Sequence, residues 1–166
     1  MNIKVLDLEF NSEYFYIQRN SIVEKITFNN RTFYSKYEKF PTPISPILLE
    51  QHYKNELTLA LPLVENSMVN YLVIEYYQED WNSFYSLIKH LFKTLNIQDY
   101  FTYKNPNKNL LQIFIVRDQM PIDIAYDEVE ILEHNLNIKS NKSYKIFPNR
   151  NSPKNYNIIR LPFKII

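Results

Sequence analysis

Few residues of this 166-residue chain have the type and spacing to do chemistry, and Glu75 leads them. It stands in Tyr71-Leu-Val-Ile-Glu-Tyr-Tyr77, a run that is otherwise apolar or aromatic. A carboxylate there is costly to bury unless it has a partner or a task. Two roles fit: catalysis, or structural pairing with Lys or Tyr. Strand alternation sets Tyr71, Val73, Glu75, Tyr77, Gln112, Phe114 and Val116 on one sheet face, where Tyr77, Gln112 and Phe114 are candidate contacts to a base or nucleotide. The three histidines, His52, His90 and His134, fall on three different predicted helices, so no His-x-x-x-His metal pair forms. Glu130 and His134 are four apart on one helix, which makes half a metal site at most and a solvated acidic face more simply. No serine has a nucleophile context. The expectation is no metal and no cofactor.

Composition narrows the chemistry further. The chain has no glycine, against a usual share of roughly 7%, and only two alanines, Ala60 and Ala125. The abundance of Asn, Ile, Lys and Tyr fits an A+T-rich coding bias. Without glycine a phosphate-binding P-loop, a dinucleotide fingerprint and a nucleophile elbow cannot be built. Without cysteine there is no disulfide, thiolate zinc site, iron–sulfur cluster or thiol nucleophile. Hydrophobic content of 45% with 16% aromatic residues is that of a folded chain. No apolar run reaches membrane-spanning length and no signal or lipidation motif is present, so a soluble cytoplasmic protein is expected.

Net charge is +1, unevenly spread. No Asp or Glu follows Glu133, while Lys139, Lys142, Lys145, Arg150, Lys154, Arg160 and Lys164 do, leaving the earlier residues at −6. Tyr144, Phe147, Tyr156 and Phe163 interleave with these cations, a composition that suits phosphate contact and base stacking. Lys145, Arg150 and Arg160 are the candidate contacts. The plainer account sends the rings to the core and the lysine heads to water.

These residues need elements to position them. Ile22–Phe28 and Arg31–Tyr37 read as a hairpin turning on Asn29-Asn30, asparagine being the best substitute for glycine at positive φ. Ser45 and Pro46 form a helix start, with Leu49, Tyr53, Leu57 and Ala60 on one face, Glu50 and Lys54 paired on the other, and Pro62 as the limit. From Tyr71 the order is strand, helix from Asp80 (Phe84, Ile88, Leu91 and Leu95 inside), strands Asp99–Tyr103 and Leu110–Val116, helix from Pro121 (Ile122, Ala125, Val129, Leu132 and Leu136 inside), and strand Ser143–Phe147. Tyr156–Leu161 is a further strand. The expected fold is α+β: an RRM- or ferredoxin-like β-α-β-β-α-β core with an extra C-terminal strand, preceded by a small hairpin-plus-helix unit. One compact domain over residues 1–166 is expected, with sub-units 1–66 and 67–166. Leu72, Ile74, Tyr76, Leu111, Ile113 and Ile115 should face the helices. The opposite face should be largely covered, since its Val and Tyr side chains would otherwise form a wide apolar patch, and Phe114 is its one third-strand ring placed to stack.

Several blocks together resemble a known family. Tyr14-Phe-Tyr-Ile-Gln-Arg-Asn-Ser-Ile-Val-Glu-Lys-Ile26, Arg31-Thr-Phe-Tyr34, Leu49 through Leu59, Leu72-Val-Ile-Glu-Tyr76, Phe101-Thr102, Phe147-Pro-Asn149 and Asn157-Ile-Ile-Arg-Leu-Pro-Phe163 are similar to a domain of unknown function found in epsilon-class proteobacteria. The resemblance runs from about Glu13 onward. It implies a fold similar to the primase–polymerase (archaeo-eukaryotic primase-like) superfamily, whose active members hold two metals on an Asp-x-Asp pair and bind phosphate with a glycine-led histidine. Here Glu75 matches the first acid, Tyr77 stands at the second, Asn109 stands at the glycine, and Leu110 and Gln112 stand at the family's histidines. Arg160-Leu-Pro162 resembles the late basic motif that positions nucleotide phosphates. These departures favour a degenerate, non-catalytic domain that binds nucleic acid, nucleotide or a protein partner. The alternatives are a metal-dependent nucleotidyl or phosphoryl enzyme using Glu75, and a protein–protein adaptor.

Overall fold

The computed structural model describes residues 2–105, 107–139 and 143–163; Lys142 and Lys164 of the basic tail lie outside the described residues. In chain order the elements are β1 (Asn2–Val5), β2 (Leu8–Asn11), β3 (Phe15–Gln18), β4 (Glu24–Phe28), β5 (Arg31–Ser35), β6 (Tyr37–Phe40), α1 (Pro46–Tyr53), β7 (Leu59–Pro62), β8 (Met68–Tyr76), α2 (Trp81–Thr94), β9 (Tyr100–Asn105), β10 (Leu110–Pro121), α3 (Ile122–Lys139), β11 (Tyr144–Phe147) and β12 (Ile158–Arg160). The fold is α+β, in two compact units: one runs to Leu63 and takes back Arg150–Phe163, the other is Val64–Asn149. No helix among the described residues is long and apolar enough to cross a membrane.

The first unit is built on an antiparallel sheet in the order β12-β7-β3-β6, with β1-β2 and β4-β5 as separate two-stranded hairpins. The β4-β5 turn is Asn29-Asn30, at φ 50° and 62°, as the sequence predicts. Helix α1 also starts as predicted: Leu48 N–H donates to Ser45 Oγ over 3.2 Å, Pro46 opens the first turn, and Lys54 pairs with Glu50 at 2.9 Å. It does not reach Ala60. Asn55 takes φ 60° just beyond its end, and Leu59–Pro62 instead forms β7, a central strand flanked by β3 and β12 with Leu59, Ala60 and Leu61 buried. An apolar strand covered on both faces has no alternation to distinguish it from the last turn of a helix.

In the second unit the order β8-α2-β9-β10-α3-β11 gives an antiparallel sheet arranged β11-β8-β10-β9, so the first and third strands lie at its centre, as expected. Phe84 of α2 stacks on Tyr76 of β8, with centroids 4.1 Å apart and planes within 1°, and α3 packs on β8, β10 and β11. The predicted inner residues of both helices are buried, except Leu95, which is partly exposed. β10 runs past Val116 through a bulge in which Gln119, at φ 48°, donates its N–H to Asn70 Oδ1 over 2.9 Å. The extra C-terminal strand forms, but it does not extend this sheet. As β12 it pairs with β7, Ile159 opposite Leu61, and so belongs to the first unit.

Candidate functional site

The register of the second unit brings Glu75, Gln112 and Lys145 into one row: Gln112 of β10 faces Glu75 on one side, and Lys145 of β11 faces it on the other. Glu75 is 3% exposed. Its Oε2 accepts the Gln112 side-chain amide over 2.9 Å, and its Oε1 accepts the Tyr77 hydroxyl over 2.6 Å. Lys145 Nζ lies 5.5 Å from the Tyr77 ring centroid. Each oxygen of Glu75 thus accepts a hydrogen bond from a neutral side chain of its own unit. Among the described residues no group of three or more His, Cys, Asp or Glu side chains could hold a metal.

Two of the candidate binding residues on this face are not presented to a ligand. Phe114 is fully buried because its ring completes an aromatic cluster, edge-to-face with Tyr71 at 5.8 Å and Tyr103 at 5.7 Å. Gln112, 2% exposed, is committed to Glu75. Tyr77 borders an open hollow at the end of β8 with Glu79, Asp80, Asn109 and Ser143, whose formal charges are both negative and oppose a phosphate. Asn109, the position that resemblance equates with a glycine, takes φ 49°. Lys145 is exposed, as is Arg150; Arg150 and the half-exposed Arg160 belong to the first unit.

In that unit the sheet assembles a different site. Tyr16 of β3 lies opposite Lys39 of β6 and Ala60 of β7, and Ala60 lies opposite Arg160 of β12. Residues in register share a face, so Lys39, Tyr16, Ala60 and Arg160 form one row across all four strands, joined by Tyr37 one step along. A groove of about 560 Å³ lies over this face. Its floor includes Tyr14, Tyr16, Tyr37 and Lys39; Glu24, Ile26 and Phe28 of β4 form one wall, and Lys154, Asn155 and Tyr156 of a short 3-10 turn form another. Tyr16 meets Tyr14 edge-on at 5.8 Å and Tyr37 at 6.3 Å, and Lys39 Nζ sits 4.1 Å over the Tyr14 ring.

Tyr16 and Tyr156 hold their phenol protons more tightly than a free tyrosine. Burial, then the neighbouring Tyr14 and Glu24, push Tyr16 up to about 12. Burial, then the neighbouring Glu24, also raise Tyr156. The charged side chains on the lining are Glu24, Lys39 and Lys154, a net of one positive charge. Flat rings, two ammonium groups and one carboxylate acceptor can hold a planar, anionic ligand with amino donors. Of the residues singled out in the sequence, only Arg160 belongs to this row. The tyrosines were signalled by Tyr14-Phe15-Tyr16-Ile17: Phe15 and Ile17 are buried while Tyr14 and Tyr16 are half-exposed, which is one face in and one out.

The family model described as Domain of unknown function (DUF1882) matches residues 1–70. That span holds β1 to β7, α1 and the first residues of β8, and so most of the groove; the resemblance of the later blocks lies beyond it. No curated protein matches the chain.

Proposed function

We propose that this chain is a binding protein whose first unit takes single-stranded nucleic acid along the aromatic groove. The row Lys39–Tyr16–Ala60–Arg160 carries the reading, because it sets a stacking ring between cations on the outer strands of one sheet. Bases would lie on Tyr16 and Tyr37, with phosphates meeting Lys39, Lys154 and Arg160. A free cation is a poorer fit, since Lys39 already occupies the Tyr14 ring face. In the second unit, the strand adjacency supports an RRM-like, primase–polymerase-like module. Tyr77 and Gln112 stand where a metal-binding acid and a histidine would be needed, so binding rather than nucleotidyl transfer is the activity proposed for it.

The test is fluorescence anisotropy with a labelled oligothymidylate. Three phosphate contacts give a log–log salt slope of about −2 on a single strand. Tyr16→Ala should weaken binding by about tenfold, within the range for losing one stacked base. Lys39→Gln should make the slope shallower by about 0.7. Absence of binding, or a slope near zero, removes nucleic acid as the ligand.

A further inference from the structure

Among the described residues the groove of the first unit has one carboxylate on its lining, Glu24. The other polar groups there are of different kinds: ammonium groups at Lys39 and Lys154, phenol hydroxyls, and the neutral side chains of Ser35 and Asn155. The ladder sets where the acid stands. Glu24 opens β4 directly opposite Ser35, and Ser35 and Tyr37, two residues apart, both line the groove, so the acid borders the paired rings of Tyr37 and Tyr16. Its charge reaches Tyr16 on the floor and Tyr156 on the facing wall.

A carboxylate in a groove that takes a polyanion weakens binding wherever it meets phosphate, and offsets that loss only where it accepts a hydrogen bond from the base. Ionised, it accepts and cannot donate. It therefore sorts the base edges that a single strand exposes. Cytosine and adenine present an exocyclic amino group, and guanine presents one beside a ring N–H; thymine and uracil present a lone ring N–H between two carbonyl oxygens, which oppose a carboxylate. A lysine or a hydroxyl in the same place would not draw this line, because the first donates to carbonyls and the second turns to suit either partner.

We propose that Glu24 reads the base seated on the Tyr16 and Tyr37 rings and selects cytosine, adenine and guanine over thymine and uracil. This selectivity presupposes single-stranded nucleic acid as the groove's ligand and states which strands are held best. It is tested by fluorescence anisotropy of the full chain with labelled oligodeoxycytidylate and oligodeoxyuridylate of equal length, two bases of one ring size that differ at the edge. Slightly alkaline buffer keeps cytosine neutral. Wild type should bind the cytidylate about tenfold more tightly, within the discrimination of one well-placed base contact. Glu24→Gln keeps the shape and lets an amide both donate and accept, and it should abolish that preference, chiefly by strengthening the uridylate. A carboxylate that only repelled phosphates would shift both affinities by one factor and leave their ratio alone. Glu24 is exposed on its strand, so the substitution removes no core contact. Equal affinity of wild type for the two strands, or a ratio unchanged in Glu24→Gln, overturns the selectivity and leaves the groove a nucleic-acid site. No binding of either strand by wild type overturns both.

Discussion

Gln112 hands its side-chain amide to Glu75 across the central strand pair of the second unit, Nε2 to Oε2 at 2.9 Å, with both residues nearly out of solvent. A buried carboxylate is tolerated only while its oxygens are satisfied. Gln112→Leu removes one donor and should destabilise the protein by about 1–3 kcal/mol. Glu75→Gln, which keeps the shape and removes the charge, should interact with it non-additively in a double-mutant cycle read by urea unfolding. Additive effects would mean that the two side chains do not share an energetic contact.

The parts of the fold that were legible from the sequence are those decided locally. Ser45-Pro46 starts a helix because a hydroxyl acceptor and a fixed φ suit the first turn, and Phe84, Ile88 and Leu91 repeat at the helical period. What was not legible depends on partners far along the chain. Ile158–Arg160 could extend either sheet by its own pattern; pairing with β7 decides it, a choice made nearly a hundred residues upstream. The same pairing puts Arg160 in a row with Tyr16 instead of with Glu75. Phe114 looked like a stacking ring from its alternation alone, and only the neighbouring Tyr71 and Tyr103 show it to be core.

The absence of glycine leaves its mark on the backbone. Nine described residues take positive φ, and six of them are asparagine: Asn29, Asn30, Asn55, Asn66, Asn96 and Asn109. Asparagine tolerates the left-handed region better than other side chains, but glycine does so at less cost. Asn30→Gly completes the Asn-Gly pair favoured in a two-residue hairpin, and should raise stability by about 0.5 kcal/mol. Asn30→Ala should lower it by about 1 kcal/mol. Thermal unfolding of the three proteins gives the order, and a glycine variant less stable than wild type would show that the Asn30 side chain contributes more than its backbone tolerance.

Tyrosine ionisation sets an alkaline limit. Burial pushes Tyr16 and Tyr76 from 10.0 up to about 12, with Tyr14 and Asp80 respectively adding to the rise. Tyr76 donates its hydroxyl to Asp80 Oδ1 over 2.5 Å. Below pH 10 both phenols are neutral whether the chain is folded or not, so their stabilising contribution is intact. Between 10 and about 12 the unfolded chain loses these protons first, and stability falls as pH rises. Tyr16→Phe and Tyr76→Phe should each flatten that fall, measured as urea midpoint against pH. An unchanged slope in both would mean that other groups set the limit.

His52 ties the tail of the first unit to its helix. The ring is fully buried, stacked on Phe163 at 3.9 Å between centroids, and its Nδ1 accepts the Leu59 backbone N–H over 3.0 Å. That bond fixes a neutral ring with its proton on Nε2, which donates toward the carbonyls of Leu161, at 3.0 Å, and Pro162, at 3.2 Å. One side chain therefore satisfies backbone groups at the start of β7 and just past β12, the two strands whose pairing brings Arg160 into the groove row. His52→Leu fills much of the space but strands those groups without water, and should cost about 2–5 kcal/mol. His52→Gln, which can still both accept and donate, should recover part of the loss. If hydrogen exchange at the Leu59 and Leu161 amides does not accelerate in His52→Leu relative to wild type, the histidine is a packing residue only and the strand pairing holds without it.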